Sequence, residues 1–429
     1  RKVRVSPHFR LPFRKECMHQ PAQDISSSLK NLTGHAGLGQ LQSSWYGLGL
    51  AKSVDDNTDK KRGFALSLLL LVAVAKHAVG CKSNAAVSEK SETDSLLRAI
   101  AGFVVKQFTL NRAYGYLDEK AVQTVNLTRM KSLKKRGRIK GDYIAIDGTH
   151  ERIKRTKGFE NWSVGHSKDG NKPGYRSVFT FDVITDEWIS FTHRTASYYE
   201  GYDLLQLARE TKQLLGKTFT LIMDAGFHSV ERFDELLDEG IHFVINLRED
   251  IKVRESYKRF RTVKQEVESI TDRKTFAYPD LGVVCSWSKV VYLDNCKRKF
   301  RLVVVHKKTK GKDGLKEYAL LTSDLSLSPR RVIELYTKRW RVEKFFDYMK
   351  NDLGLESFCR RDFDGIRAHV FMCAMAYSLL MMLKEPESRA KPATVIRRIV
   401  NRPANFEVVG AVLVLWTGDE VVQVDWGDS

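Results

Sequence analysis

From residue 64 to about 130, apolar side chains return at helical spacing. Leu96, Leu97, Ile100, Ala101, Val104, Val105 and Phe108 recur at steps of one and three, behind a polar cluster at Ser91–Asp94 able to cap a helix. The spacing predicts a small all-α domain. From Tyr143 the texture changes. Segments 143–147 (YIAID), 177–184 (SVFTFDVI) and 188–195 (WISFTHRT) are β-branched and aromatic, the last two separated by the turn-like Thr185-Asp186-Glu187. A helix follows, with Leu204, Leu205, Leu207, Ala208, Leu214 and Leu215 on one broad face. Then come a strand at 219–224, a helix after Ser229 and a strand at 242–247. Residues 249–328 turn charged and turn-rich, with short strands at 282–293, 300–306 and 318–323, and read as a mostly β insertion. Ser328-Pro329 opens a long helix, Ser as its cap and Pro in its first turn.

Three strands, helix, strand, helix, strand is the order expected of an RNase H-like mixed sheet, an order shared by several nucleotidyl-transfer enzymes. The fold class expected is therefore α/β: an RNase H-like mixed sheet core with a mostly β insertion and an N-terminal all-α domain. The division that follows is a segment 1–60 supporting no prediction, a helical domain 61–130, a basic linker 131–141, and a core whose first part is 142–248. The insertion 249–328, the second core part 329–383 and a C-terminal segment 384–429 complete it. That last segment has Pro386, Pro392 and Pro403 ahead of an apolar strand at 411–416.

Charge narrows the partner. Lys and Arg number 72 against 52 Asp and Glu, a formal charge of +20, which on a folded chain favours a polyanion, with nucleic acid first in line. Six of the ten residues 131–140 are cationic; the run either tracks a phosphate backbone or is a solvated charge run. Residues 297–312 carry eight cations and no acid, a second surface of that kind. The six Cys form no C-x-x-C pair and have no His at zinc-like spacing, which argues against a zinc ribbon or disulfide scaffold and for a reducing compartment. The apolar runs 64–75 and 370–383 fall short of the roughly twenty residues a spanning helix needs, so both are expected to be core helices and no membrane is expected. The N-terminus RKVRVSPHFR lacks a signal-peptide h-region, and the absence of Met leaves room for an upstream start.

Phosphodiester chemistry at neutral pH needs a nucleophile made reactive and positive charge against the developing phosphorane; two divalent ions held by carboxylates supply both. Asp147 follows the apolar run 143–146 and precedes Gly148-Thr149; Asp224 follows 221–223 and precedes Ala225-Gly226. Each is a carboxylate where a strand is expected to end, and taken alone such an Asp is more often an Asx-turn residue. In the helix from Pro329, Tyr336, Arg339, Glu343 and Lys350 fall within one stripe about 60° wide at about 100° per residue. Leu335, Val342, Phe345, Phe346 and Met349 form the apolar face beside it. An ordinary amphipathic helix with Arg339–Glu343 pairing would give the same pattern.

The string YTKRWRVEKFFDYMK (336–350) resembles the Y-x2-R-x3-E-x6-K signature of insertion sequence family 4 transposases, a group of DDE enzymes, at all four positions. IAIDGT around Asp147 and LIMDAGF around Asp224 extend the likeness over about residues 142–383. The resemblance implies a DNA transposase in which Asp147, Asp224 and Glu343 form a metal-binding triad for Mg²⁺, with Mn²⁺ as substitute. It implies that Tyr336, Arg339 and Lys350 hold transposon-end phosphates, and that Trp340 stacks on or wedges beside a flipped base unless it serves only packing. The implied partners are double-stranded DNA with terminal inverted repeats, target DNA and a second copy of the chain, in a prokaryotic cytoplasm at the nucleoid. By analogy the 61–130 region would recognise DNA ends and 384–429 would contribute to dimer contacts. Two rivals remain at this point: a domesticated DNA-binding protein without catalysis, and a magnesium nuclease that does not transpose.

Overall fold

The computed structural model describes residues 32–60, 62–101, 103–167, 170–255, 259–269, 275–308, 314–384, 395–396, 400–401, 404–409, 412–417 and 420–425. The expectations for the basic N-terminus and for Pro386, Pro392 and Pro403 lie outside them. Along the chain run β1 (Leu32–Thr33), α1 (Gly37–Gly47), α2 (Leu50–Asp56), α3 (Leu66–Ala78), α4 (Asn84–Thr93), α5 (Ser95–Ala101), α6 (Gln107–Tyr114) and α7 (Glu119–Lys135). Next come β2 (Tyr143–Arg152), β3 (Ser163–Ser167), β4 (Gly170–Asp182), β5 (Glu187–Thr195), α8 (Leu204–Leu215), β6 (Thr220–Met223), α9 (Val230–Asp238) and β7 (His242–Leu247). Then follow β8 (Lys252–Arg254), β9 (Arg261–Thr262), α10 (Val263–Glu268), β10 (Phe276–Tyr278), β11 (Val283–Leu293), β12 (Phe300–Lys308) and β13 (Leu315–Thr322). Helices α11 (Pro329–Lys338), α12 (Trp340–Asn351) and α13 (Phe363–Leu383) precede β14 (Ala404–Val409), β15 (Val412–Thr417) and β16 (Glu420–Asp425).

The chain divides into two compact units, Arg1–Ser132 with Lys157–Asn161 and Asp347–Ser429, and Leu133–Thr156 with Trp162–Phe346. The first is helical around α3 and α13, which pack on each other. Both are apolar on nearly every face, the composition of a helix enclosed by protein. At 21 residues α13 is long and apolar enough to cross a membrane, but 83% of its most apolar window is buried inside the protein, so it serves as a core helix. Among the polar groups enclosed here, Arg129 donates to Asn126 Oδ1 (3.0 Å) and Ser378 Oγ (2.8 Å), and His77 Nδ1 sits 2.6 Å from the Leu353 carbonyl. The antiparallel order β1-β14-β15-β16 joins residues 32–33 to the C-terminal strands.

Two expectations for this region change. The run 96–108 is two helices, because residues 103–106 leave the helical path, Val105 N donating instead to Ser91 Oγ, and Phe108 is exposed rather than core-facing. Helices α1 and α2 lie in the 1–60 segment, where no periodicity announced them.

The second unit is built on one twelve-stranded mixed sheet, in the order β3-β4-β2-β6-β7-β13-β12-β11-β8-β9, with β5 on β4 and β10 on β11. Pairs β2–β6 and β6–β7 are parallel and the others antiparallel; the chain makes these parallel steps through α8 and α9, as parallel neighbours require. The β insertion does not stand apart: β13 pairs with β7 from Ala319↔Leu247 to Thr322↔Val244, so the inserted strands continue the same sheet. The cationic residues Lys131, Lys134 and Lys135 belong to the end of α7, where Lys134 Nζ donates to the Leu214 and Leu215 carbonyls at the end of α8 (3.2 and 2.6 Å). All five described cysteines are free thiols.

Candidate active site

Ile144, Ala145 and Ile146 are fully buried and hold β2 in the middle of the sheet. Asp147 is mid-strand, not at a strand end, since β2 runs on to Arg152 against β4. What ends beside it is the parallel partner. The register Tyr143↔Thr220, Ile144↔Leu221, Ala145↔Ile222, carried two residues further, sets Asp147 level with Asp224, which follows the last residue of β6. Parallel neighbours about 4.8 Å apart bring such residues side by side at their carboxyl ends. Asp224 caps a 3₁₀ turn, its Oδ1 accepting from Gly226 N at 2.8 Å.

Glu343 arrives from the helices. Ser328 caps α11, with Pro329 in the first turn, and Val332 and Ile333 bury against Val244, Val303 and Leu320 of the sheet. The helical path then tightens at Arg339, where Arg339 N bonds to the Tyr336 carbonyl and Val342 N to that of Arg339, so the single long helix expected is two, joined by a 3₁₀-type turn. In the first turn of α12, Glu343 lies between buried Val342 and Phe345. The Phe345 ring packs edge-on against Phe179 at 5.2 Å, and Phe179 is the β4 partner of Asp147. The core contact that seats α12 thus seats Glu343 over the strand carrying Asp147.

One guanidinium joins the two carboxylates. Arg339 Nη1 is 2.8 Å from Asp147 Oδ2 and its Nη2 is 2.5 Å from Glu343 Oε1. Burial pushes the Asp147 carboxyl up to about 7; Arg339 opposes this, and Asp224, Glu200 and Glu343 reinforce it. Burial works against the Arg339 charge too, but Asp147, Tyr336 and Glu343 outweigh it and hold the group firmly cationic. Tyr336 is packed beside the core with its phenol pushed up by burial, and the Arg339 guanidinium lies 5.7 Å from its ring centre. Trp340 is 55% exposed, with Lys344 Nζ 5.5 Å from its ring centre. Lys350, seven residues beyond Glu343 on α12, belongs to the other unit, where its Nζ is 3.9 Å from Glu356.

Residues 139–379, more than half of the chain, match the family model described as transposase DDE domain. The chain is a member of this DDE transposase family. No curated protein matches it.

DDE transposases cleave and join DNA, generally with divalent metal ions. Such ions take hard oxygen donors, and the donor set here is of that kind: Asp147, Asp224 and Glu343, with Arg339 standing as a cation between the first and the last. Among the described residues, no three His, Cys, Asp or Glu side chains converge as a ligand group. The residues fit a divalent ion in chemistry, and Arg339 bridges two of them.

Sequence reasoning missed two residues beside this candidate site. Glu200, first residue of a 3₁₀ turn between β5 and α8, lies within electrostatic reach of both Asp147 and Asp224, and Arg176 of β4 faces it at 3.3 Å. The signal was a carboxylate before Gly201 at the mouth of the first helix after three strands.

Proposed function

We propose that the chain is a transposase of the insertion sequence family 4 kind, acting by a cut-and-paste route on an element's own ends. The observation that carries this reading is the Arg339 guanidinium held by both Asp147 and Glu343, residues of the first core strand and the signature helix, with Asp224 level with Asp147. The run β5-β4-β2-β6-β7, with α8 and α9 in its parallel crossovers, supports an RNase H-like core.

In this reading Asp147, Asp224 and Glu343 would hold the catalytic ions. Magnesium, or manganese in its place, would supply Lewis acidity that makes water or a 3′-hydroxyl nucleophilic and offsets charge building on phosphorus. The reaction proposed is hydrolysis of one strand at each transposon end, followed by attack of the freed 3′-hydroxyl on the opposite strand or on target DNA. Arg339 turns from carboxylates to a phosphate, which its planar fork matches with two parallel N–H bonds. Tyr336 and Lys350 add a hydroxyl and a point charge to the same backbone, and Trp340 offers a ring to an unpaired base. The helical segment 61–130 would recognise the inverted repeats, and residues 384–429 would help pair two copies around two ends.

The test is cleavage of DNA carrying the element's ends by purified protein with Mg²⁺. Asp147→Asn, Asp224→Asn and Glu343→Gln are expected to abolish cutting while retaining salt-sensitive DNA binding. Undiminished cutting by any of them refutes the triad. Binding by the wild type without metal-dependent nicking leaves a DNA-binding protein, and nicking without strand-transfer products leaves a nuclease.

A further inference from the structure

We propose that Glu200 is a fourth carboxylate of the metal centre, sharing a divalent cation with Asp147 and Asp224; the proposal rests on the reading of that centre given above. Its position is fixed from both sides. Tyr199 Oη donates to the Gly226 carbonyl at 2.5 Å, and Asp203, at the end of the same turn, accepts from Thr192 Oγ1 at 2.8 Å and Arg194 Nη2 at 3.0 Å. Between these ties, Glu200 is directed at the strand residue that follows Asp147 and at the turn that follows Asp224. A Cβ added at Gly148 would fall 2.0 Å from Glu200 Oε2, and one at Gly226 would fall 3.4 Å from Oε1. The carboxylate therefore occupies the space left by the missing side chain of the residue after Asp147, and its second oxygen faces the residue two beyond Asp224.

Charge says what that seat is for. Glu200 is largely enclosed, its side chain 17% exposed, and Arg176 Nη1 approaches its Oε2 at 3.3 Å. Around it the site gathers Asp147, Asp224 and Glu343 against Arg339. Four carboxylates face the two guanidiniums of Arg176 and Arg339 in an enclosed site, an excess of acidic groups that a bound cation would offset. A merely structural Glu200–Arg176 pair would need neither the approach to Gly148 nor that to Gly226.

The test uses the full chain without DNA and Mn²⁺ alone as probe, free Mn²⁺ being read by electron paramagnetic resonance. Glu200→Gln is expected to weaken Mn²⁺ binding by about tenfold or more, the size of effect seen when a group supporting a metal site is removed. Glu200→Asp should recover part of the loss. Gly148→Ala, which keeps every carboxylate but crowds Glu200, should weaken binding as well. Iron-generated hydroxyl radicals should cut the wild-type backbone near 147–149, 200 and 224–226, and the cut near 200 should vanish in Glu200→Gln. Wild-type Mn²⁺ affinity in Glu200→Gln, with Asp147→Asn abolishing binding, overturns this proposal and leaves the triad standing. Unchanged binding in both overturns the metal-centre reading and the proposal with it.

Discussion

Arg339 Nη1 lies 2.8 Å from Asp147 Oδ2, across 192 residues of chain, and the other arm of the same fork holds Glu343 at 2.5 Å. The guanidinium is the counter-ion of these two carboxylates. Removing one partner of a buried ion pair costs about 3 kcal/mol, because it strands charge away from water. Arg339→Ala is thus expected to melt well below the wild type in chelator. Added Mg²⁺ should raise its melting temperature by more than it raises that of the wild type, since the cation no longer competes with a resident one. Equal metal-induced shifts in the two proteins would count against the guanidinium as a stand-in cation.

The Asp147 carboxyl carries a pH signature. Its ordinary value is 3.8, and burial, reinforced by the neighbouring carboxylates, pushes it up to about 7. The folded chain therefore keeps a proton that the unfolded chain has released. That contribution to stability is fully present below about pH 4 and is lost as pH rises through about 7. Urea melts of metal-free protein should show this component falling from pH 5 to 8, and Asp147→Asn should lack it. Because metal and proton compete for the carboxylate, Mn²⁺ affinity should rise over the same interval. A pH-independent affinity between 6 and 8 would contradict the assignment.

Asp182 holds the entry to the strand that carries Asp147. It is fully buried, accepts from Lys140 N and Gly141 N at 2.8 Å each and from Ile184 N at 2.9 Å, and pairs in register with Ile144. Gly141 makes the turn possible, with φ at +68° and Leu215 filling the space a Cβ would need. Asp182→Ala leaves three backbone donors without an acceptor, a loss of about 3 kcal/mol. Chemical denaturation should register it, and a loss under 1 kcal/mol would mean that water or a shift of the turn replaces the carboxylate.

Strands were readable where their pattern was strong and local. The apolar run at 242–247 is β7 residue for residue, and the run at 204–215 is α8. Harder to read were features set by distant partners. The insertion looked separate because its strands alternate with charged turns, yet β13 finds its partner in β7, and no local pattern encodes that pairing. Arg339 reads as a helical residue, and only the carboxylates it joins give its position at a helix break a purpose. Both aspartates carried apolar runs ahead of them and so stood out. Glu200 follows a Tyr in a turn, and nothing in its own surroundings points to Gly148 some fifty residues earlier.

Trp340 separates packing from recognition. A Trp in a packing role is buried, and its loss costs several kcal/mol; this one is 55% exposed beside Arg339, with Lys344 near its face. Trp340→Ala is therefore expected to change stability by no more than about 0.5 kcal/mol, as for most surface positions. Stacking of an unpaired base on an aromatic ring contributes about 1–3 kcal/mol, so the same variant should bind DNA ends with a flipped or unpaired terminal base more weakly by roughly 5- to 150-fold. Its affinity for fully paired duplex should be unchanged, and Trp340→Phe should recover part of the loss. Fluorescence of 2-aminopurine at the terminal position reads the stacking directly, being quenched by the wild type and not by Trp340→Ala. Equal quenching by both proteins removes Trp340 from recognition, and a large drop in melting temperature would return it to packing.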